Sequence, residues 1–365
     1  MNVEALREEE FEVTRGWAYL DHATFGPLPR CHVRAATETL ERLVREGSAG
    51  LDGEALLEAV RSEAATLLHC EARNVSLLKS TSEGLGLLAQ GLDWRDGDEV
   101  VVYEHEFSGC LAPFLHLRGQ GVRVRAVPDR GRNRFDLDDV EELLSPRTRA
   151  VCLSLVNRSH GMRAPVEAIG GLCRERGIWF AVDAAQAMGV LGVDAPAIGA
   201  DILSAHGYKF LCSGFGLAPT YCSDRAIEQL RVPQVGWKNA AAGASGARYE
   251  STMSSLPVLA GTLESLRLLD SVDEAERERR AVTLIRLAAD RLQARGYDVV
   301  SSPRVEEASA LVSVRHPSVP AEELAHTLRA AKVACGVVDD LLRVSAHFYN
   351  TEDDLEALLD ALPAA

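Results

Sequence analysis

Between residue 75 and about residue 222 the apolar positions fall in short, β-branched runs separated by stretches of helical spacing. The runs are VSLL ahead of Lys79, EVVVYE at 99–104, VRVRAV at 122–127, AVCLSLV at 150–156, IWFAV at 178–182, DILSA at 201–205 and LAPTYC at 217–222. Most are apolar at successive rather than alternate positions, which is the pattern of strands buried on both faces. Their alternation with helices predicts an α/β fold, a largely parallel sheet covered by helices on both sides.

The flanks read differently. Residues 1–16 form a polar helical lead-in, YLDHATFGPLPR is an irregular loop, and helices are expected at about 31–46 and 54–69. Beyond about residue 235 come a Gly/Ala/Ser-rich loop and a long helix near 258–296 with a break at Ser271–Val272. The segments VVSS, SALVSV, LLRVSA and TEDDLEALLDAL then fit a compact α+β unit, the last helix capped by Thr351. The expected division is a large domain at 17–257 and a smaller one made of 1–16 and 258–365, joined by the long helix.

Composition narrows the function. A chain of 365 residues with a formal charge of -15 has no basic footprint, which argues against nucleic acid and anionic membranes. No run reaches the roughly 18 apolar residues of a membrane span, and MNVEALREEEFEV lacks an apolar signal core, so a cytoplasmic location is expected. The eight cysteines are scattered with no CxxC pair, which predicts free thiols, no zinc site and no other metal site.

In open α/β sheets ligands bind beyond the carboxyl ends of the strands, so residues there are the candidates. Asp183 ends the run IWFAV, with Gln186 three positions on, and Lys209 follows the Ser/His/Gly/Tyr cluster after DILSA. A buried acid and a desolvated lysine suit a pyridine cofactor held by its ring nitrogen and its aldehyde. Lys79-Ser80-Thr81-Ser82-Glu83-Gly84 opens a helix with hydroxyls and free N–H groups, an anion site suited to phosphate. The same stretch holds a GxGxxA match from Gly84, with Glu104 twenty positions on, so a dinucleotide oxidoreductase is the competing reading. Against it, Ser80, Thr81, Ser82 and Glu83 intervene before the first glycine, which places both glycines inside the helix. Two further strands run into Glu104-His105-Glu106-Phe107-Ser108 and Asn157-Arg158-Ser159-His160, and either Phe107 or His105 offers a ring to stack on a flat cofactor.

On these residues the chain resembles the class V aminotransferase family of pyridoxal-phosphate enzymes, which includes cysteine desulfurases, kynureninases and isopenicillin-N-epimerase-like proteins. The resemblance runs through YLDHATFGPLP, STSEGLGLLAQGL, GDEVVVYEHEFSGCLAPF, LSLVNRSHGMRAPVEAI, VDAAQAMG, SAHGYKFLCSGFG and LLRVSAHFYNTEDDLEALL. It implies a fold-type I transferase with a seven-stranded, mainly parallel sheet, and pyridoxal 5'-phosphate as cofactor. It implies further that Lys209 is the Schiff-base lysine, Asp183 pairs with the pyridine nitrogen and Gln186 meets the phenolic oxygen. By the same resemblance Thr81, Ser82, His206 and Tyr208 surround the phosphate, and Thr252 reaches it from a partner subunit of a homodimer, with Ser251 where relatives carry glycine. Counting back from Pro113-Phe114 puts Phe107 on the cofactor ring, with His105 the alternative. Asn157 matches an asparagine near cofactor and substrate, and Arg343 the arginine that clamps the substrate carboxylate. His22 follows Asp21 in the early loop and is a second candidate for lining the substrate pocket; Trp237 and His347 also lie near matched segments.

A desulfurase needs a mobile cysteine on a long loop before the arginine, and only CGVVDDLL separates Cys335 from Arg343, so that loop is missing. The readings left open are an aminotransferase first, then a C–S or other β-lyase on a cysteine derivative, then an epimerase, all acting at the Cα of an amino acid.

Overall fold

The computed structural model describes residues 3–131, 133–240 and 243–365. Its strands are β1 (Ala18–Tyr19), β2 (Val75–Leu78), β3 (Glu99–Tyr103), β4 (Arg123–Val127), β5 (Thr148–Ser154), β6 (Trp179–Asp183), β7 (Ile202–Ser204), β8 (Ala218–Cys222), β9 (Asp298–Val299), β10 (Leu311–Arg315), β11 (Val333–Ala334), β12 (Gly336–Val338) and β13 (Leu341–Ser345). A seven-stranded sheet has the order β2-β8-β7-β6-β5-β3-β4. β8 alone runs against its neighbours; the other pairings are parallel.

Both faces of this sheet are covered, which is why its strands read as continuous apolar runs. Val101, Tyr103, Val151, Leu153, Phe180 and Val182 belong to one core, with the helices Gly53–Leu67, Val166–Glu175 and Leu256–Asp270. The alternate residues Val100, Val102, Ala150, Cys152, Trp179 and Ala181 belong to a second core, with the helices Thr81–Gly91 and Ser108–Leu115.

A smaller antiparallel sheet, β12-β13-β10-β9, packs on the helix Glu274–Ala294 and the last helix Glu352–Ala361. The expected long helix is two, ending at Asp270 and resuming at Glu274 with Asp273 as its cap. Several contacts cross the boundaries drawn from the sequence. β1 pairs with β11 beside the smaller sheet, and the helix Leu256–Asp270 packs on the helices Arg30–Glu46 and Gly53–Leu67. β12 and β13 are joined by Asp339 and Asp340, both at positive φ (49° and 60°), the backbone of a tight hairpin turn.

Candidate active site

Asp183 closes β6 at the carboxyl edge of the sheet, in register with Ser154 of β5 and Ser204 of β7. It is 6% exposed; its Oδ1 accepts the Ala185 N–H (2.8 Å) and its Oδ2 the Cys110 thiol (3.6 Å). Burial pushes its carboxyl above the usual range, while the Ala185 N–H and the Lys209 ammonium pull the other way. A second acid stands behind it. Glu106 accepts the Ser154 N–H at 2.7 Å and the Ser154 hydroxyl at 2.6 Å, and loss of hydration raises it to about 7.

Lys209 sits in the loop after β7, and that loop is clamped from the chain's N-terminal side. The Gly26 N–H donates to the Tyr208 carbonyl at 2.7 Å, and a Cβ on Gly26 would lie 1.9 Å from the Lys209 carbonyl oxygen. Only glycine fits there. Burial lowers Lys209 to about 8, with Arg343 and Arg158 adding to the effect and Asp183 opposing it. Its Nζ lies 5.9 Å from the centre of the Phe107 ring.

That contact separates the two candidate rings. Phe107 leads into the helix Ser108–Leu115, where a Cβ on Gly109 would fall 3.0 Å from the ring and 3.2 Å from Ser82 Oγ. Phe107 therefore stands between the lysine and the start of the helix Thr81–Gly91. His105 instead packs edge-on against Tyr103 and His160. His105 also shares a group of possible metal-ligand atoms with Glu104 and Asp129, but Asp129 accepts the Tyr103 hydroxyl and Glu104 the Asp129 N–H.

Thr81, at the start of the helix Thr81–Gly91, meets His206 from the loop after β7. The Thr81 hydroxyl accepts the His206 backbone N–H (2.9 Å) and lies 2.7 Å from Nδ1. Nε2 on the far side of the imidazole is buried and has no partner among the described residues. Burial, then Lys209, pushes His206 down to about 3, so the ring is neutral. Tyr208 stacks on it (4.0 Å, 2°) and Phe215 on Tyr208 (4.3 Å, 26°). Ser82 is exposed one residue into the helix, whose cap Ser80 accepts the Glu83 N–H at 3.2 Å. Gly84 and Gly86 lie inside this helix, and a Cβ on Gly84 would meet Ser204 Oγ at 2.4 Å. The GxGxxA match thus serves helix–sheet packing and makes no dinucleotide turn.

Gln186 is buried, its Nε2 donating to the Ala23 carbonyl (3.1 Å) and its Oε1 unpaired. Arg343 on β13 is 5% exposed; it donates to the Arg158 carbonyl (2.9 Å) and Thr24 Oγ1 (2.7 Å), with Asp21 Oδ1 3.9 Å away. A Cβ on Gly336 would fall 2.6 Å from Asp21 Oδ1, so the glycine keeps this space open. Nε of Arg343 and Oδ1 of Asp21 have no hydrogen bond, and burial lowers the guanidinium to about 10. Arg343 is thus a buried cation whose acid neighbour Asp21 stands beyond hydrogen-bond distance.

Two expected residues are placed elsewhere or used differently, and a third, Thr252, is expected to act on a partner subunit. His22 is not on the pocket wall: it is fully buried, with Nδ1 3.1 Å from the Ser345 carbonyl and Nε2 2.7 Å from the Tyr349 hydroxyl, and burial lowers it to about 4. Asn157 spends its amide inside the protein, donating to the His105 carbonyl (2.9 Å) and accepting the Ser159 and His160 N–H groups, so it ties two site loops together. Thr252 is exposed and accepts a hydrogen bond from Trp237 (3.2 Å), not from the phosphate-side cluster. His347 is also a packing residue, with Nε2 2.8 Å from the Phe210 carbonyl. Glu106 and Arg158 escaped the sequence reading as functional groups; the one signal was their position beside Phe107 and Asn157 at strand ends.

A model of the family described as aminotransferase class-V matches residues 18–358. A probable cysteine desulfurase of Pseudomonas aeruginosa is 30% identical over 331 residues, covering 84% of this chain and 81% of that protein. A probable cysteine desulfurase of Methanothermobacter thermautotrophicus is 32% identical over 241 residues, which span 65% of this chain but only 60% of the relative. Among solved structures, the apo cysteine desulfurase of Thermococcus onnurineus superposes with a TM-score of 0.91 at 20% identity, covering 99% of this chain and 97% of the other. A cystine C-S lyase in complex with its product cysteine persulfide superposes at 0.88 and 21% identity, covering 94% and 96%. At these identities the structural likeness is one of fold.

Proposed function

This chain belongs to the class V aminotransferase family of pyridoxal-phosphate-dependent enzymes, and from that premise we propose that it cleaves the Cβ–S bond of a cysteine-type amino acid by acid–base chemistry at Lys209. When bound, the cofactor supplies an electron sink that acidifies the substrate Cα–H. The unpaired Nε2 of His206 and the unpaired Oε1 of Gln186 are the polar atoms that a bound cofactor would satisfy. In this reading Asp183 holds the pyridine nitrogen, Gln186 the phenolic oxygen, and Thr81, Ser82, His206 and Tyr208 the phosphate, with Phe107 against the ring. Asn157 fixes the loops around it, and Thr252 completes the phosphate site of a partner subunit in a homodimer. Arg343 holds the substrate carboxylate. Lys209, lowered to about 8, is basic enough to take the Cα proton and acidic enough to return one near neutral pH.

The observation that carries the reading is the place of Cys335. The relatives are named as desulfurases, yet here the cysteine nearest the arginine sits between β11 and β12, partly buried against the small-domain core, its thiol pushed up by burial. With Cys335 packed against the small-domain core rather than on a long loop, the sulfur group leaves as a small molecule with the Cβ–S electron pair, and addition of one water turns the rest into pyruvate and ammonia. Transamination, favoured first by the sequence alone, uses the same lysine and remains the second reading. Product analysis after incubation with cysteine, cystine and alanine separates them: pyruvate, ammonia and a released thiol or persulfide support elimination, whereas a keto acid with an aminated cofactor supports transfer. We further propose the two-domain division at 17–257 and at 1–16 with 258–365, and a cytoplasmic location; no helix among the described residues is long and apolar enough to cross a membrane.

A further inference from the structure

The mouth of the site contains a cation that none of these roles uses. Arg158 lies just after Asn157, and its carbonyl is held by Arg343 at 2.9 Å, which fixes the two residues side by side. Its guanidinium Cζ stands 5.2 Å from the centre of the Phe107 ring, and Lys209 Nζ stands 5.9 Å from the same centre. The aromatic face holds the planar group in place without using its hydrogen-bond donors. Among the described residues its one ionic neighbour is Asp339 on the β12–β13 turn, and Nη2 to Oδ1 is 3.8 Å, well beyond a charge-assisted hydrogen bond. The other oxygen of Asp339 is occupied by the Ser159 hydroxyl at 2.5 Å. Arg158 lines an open cavity of about 350 Å³ with His105, Glu106, Phe107, Ser108, Ser159 and Asp339.

Three cations thus stand near one another: Arg158 and Lys209 lie against the same Phe107 ring, and Arg343 holds the Arg158 carbonyl. An amino acid reacting at Lys209 with its carboxylate on Arg343 leaves Arg158 beside its side chain. Resting on the reading above, we propose that Arg158 is a second anion-binding residue and that the substrate is an amino acid with a sulfonate on Cβ, which leaves as sulfite with the Cβ–S electron pair. Arg158 is a binding residue in this account and moves no proton. Its side chain is 34% exposed, so its replacement leaves the core untouched.

The test uses the protein loaded with pyridoxal phosphate and two inhibitors of equal length, succinate and butyrate, with binding read by calorimetry and by the shift of the visible cofactor band. Hydrogen bonds to a charged group set the expected gain, so wild type should bind succinate about 10- to 100-fold more tightly than butyrate. Arg158→Met should reduce the preference to less than about threefold, Arg158→Lys should retain part of it, and the butyrate affinity should stay the same in all three. A panel pairing cysteate with S-methylcysteine should show the same ordering in kcat/KM, with sulfite as the product released from cysteate. Equal affinity for succinate and butyrate in wild type, or an undiminished preference in Arg158→Met, overturns the proposal. A protein that takes up no pyridoxal phosphate fails the functional reading instead, whereas one that takes it up without discriminating fails only the Arg158 inference.

Discussion

Replacing Gly26 with alanine separates the clamp on the Lys209 loop from general effects of the substitution. The new Cβ would stand 1.9 Å from the Lys209 carbonyl oxygen, 2.9 Å from its carbon and 3.1 Å from Cys212 Sγ. Backbone atoms do not yield as the end of a long side chain does, so the two loops must part. Overpacking of this kind costs about 1–3 kcal/mol. The Gly26 N–H to Tyr208 carbonyl bond is lost as they separate, adding about 1 kcal/mol. The expected destabilisation is therefore about 2–4 kcal/mol by urea unfolding of the cofactor-free protein. A weaker, blue-shifted or slower-forming cofactor band should accompany it, because Lys209 moves with its carbonyl. Gly16→Ala is the control: nothing lies within 4 Å of its Cβ and its φ is -131°, so it should stay within about 0.5 kcal/mol of wild type. If Gly26→Ala matches Gly16→Ala in both urea midpoint and cofactor absorbance, the clamp has no energetic content.

Other consequences follow from the buried groups. His22 is lowered to about 4 in the fold, so the unfolded chain takes its proton first as pH falls and the native state loses stability between about 6.5 and 4. Relative to His22→Gln, wild type should lose about 2 kcal/mol between pH 7.5 and 5 in urea titrations, and parallel curves would refute the assignment. Lys209 is lowered to about 8, so the unfolded state binds the extra proton above that value, and cofactor-free wild type should gain stability relative to Lys209→Met as pH rises from 8 to 10.5. Arg343→Met should reduce kcat/KM about 100-fold while leaving the cofactor band in place, the mark of lost substrate binding alone. Glu106, raised to about 7 behind Asp183, should give the cofactor band a pH dependence near neutrality that Glu106→Gln flattens.

The sheet was legible because its strands are buried on both faces, and continuous apolar runs have few other uses. The antiparallel course of β8 was not, since LAPTYC carries the same apolar character as its parallel neighbours and only its connection sets its direction. Asp183, Gln186 and Lys209 stood out by type and spacing, and the fold brings them to one edge of the sheet. His22 misled because its partners, Ser345 and Tyr349, lie more than 300 positions away in the chain, and no local pattern reveals that they enclose it. Asn157 misled differently: its neighbourhood was right, but three backbone groups take three of the four hydrogen-bonding positions of its amide. Glu106 and Arg158 are ordinary charges in sequence, and their meaning comes from Ser154, Asp183 and Phe107, which the fold supplies.

The central claim is that Lys209 holds the cofactor and performs the proton transfer. Borohydride reduction of protein loaded with pyridoxal phosphate, followed by proteolysis and mass mapping, should place the reduced pyridoxyl group on Lys209. Lys209→Ala should lack both the modified peptide and turnover. A pyridoxyl group mapped to another lysine, or a Lys209→Ala protein that keeps the visible band and wild-type turnover, would contradict the account.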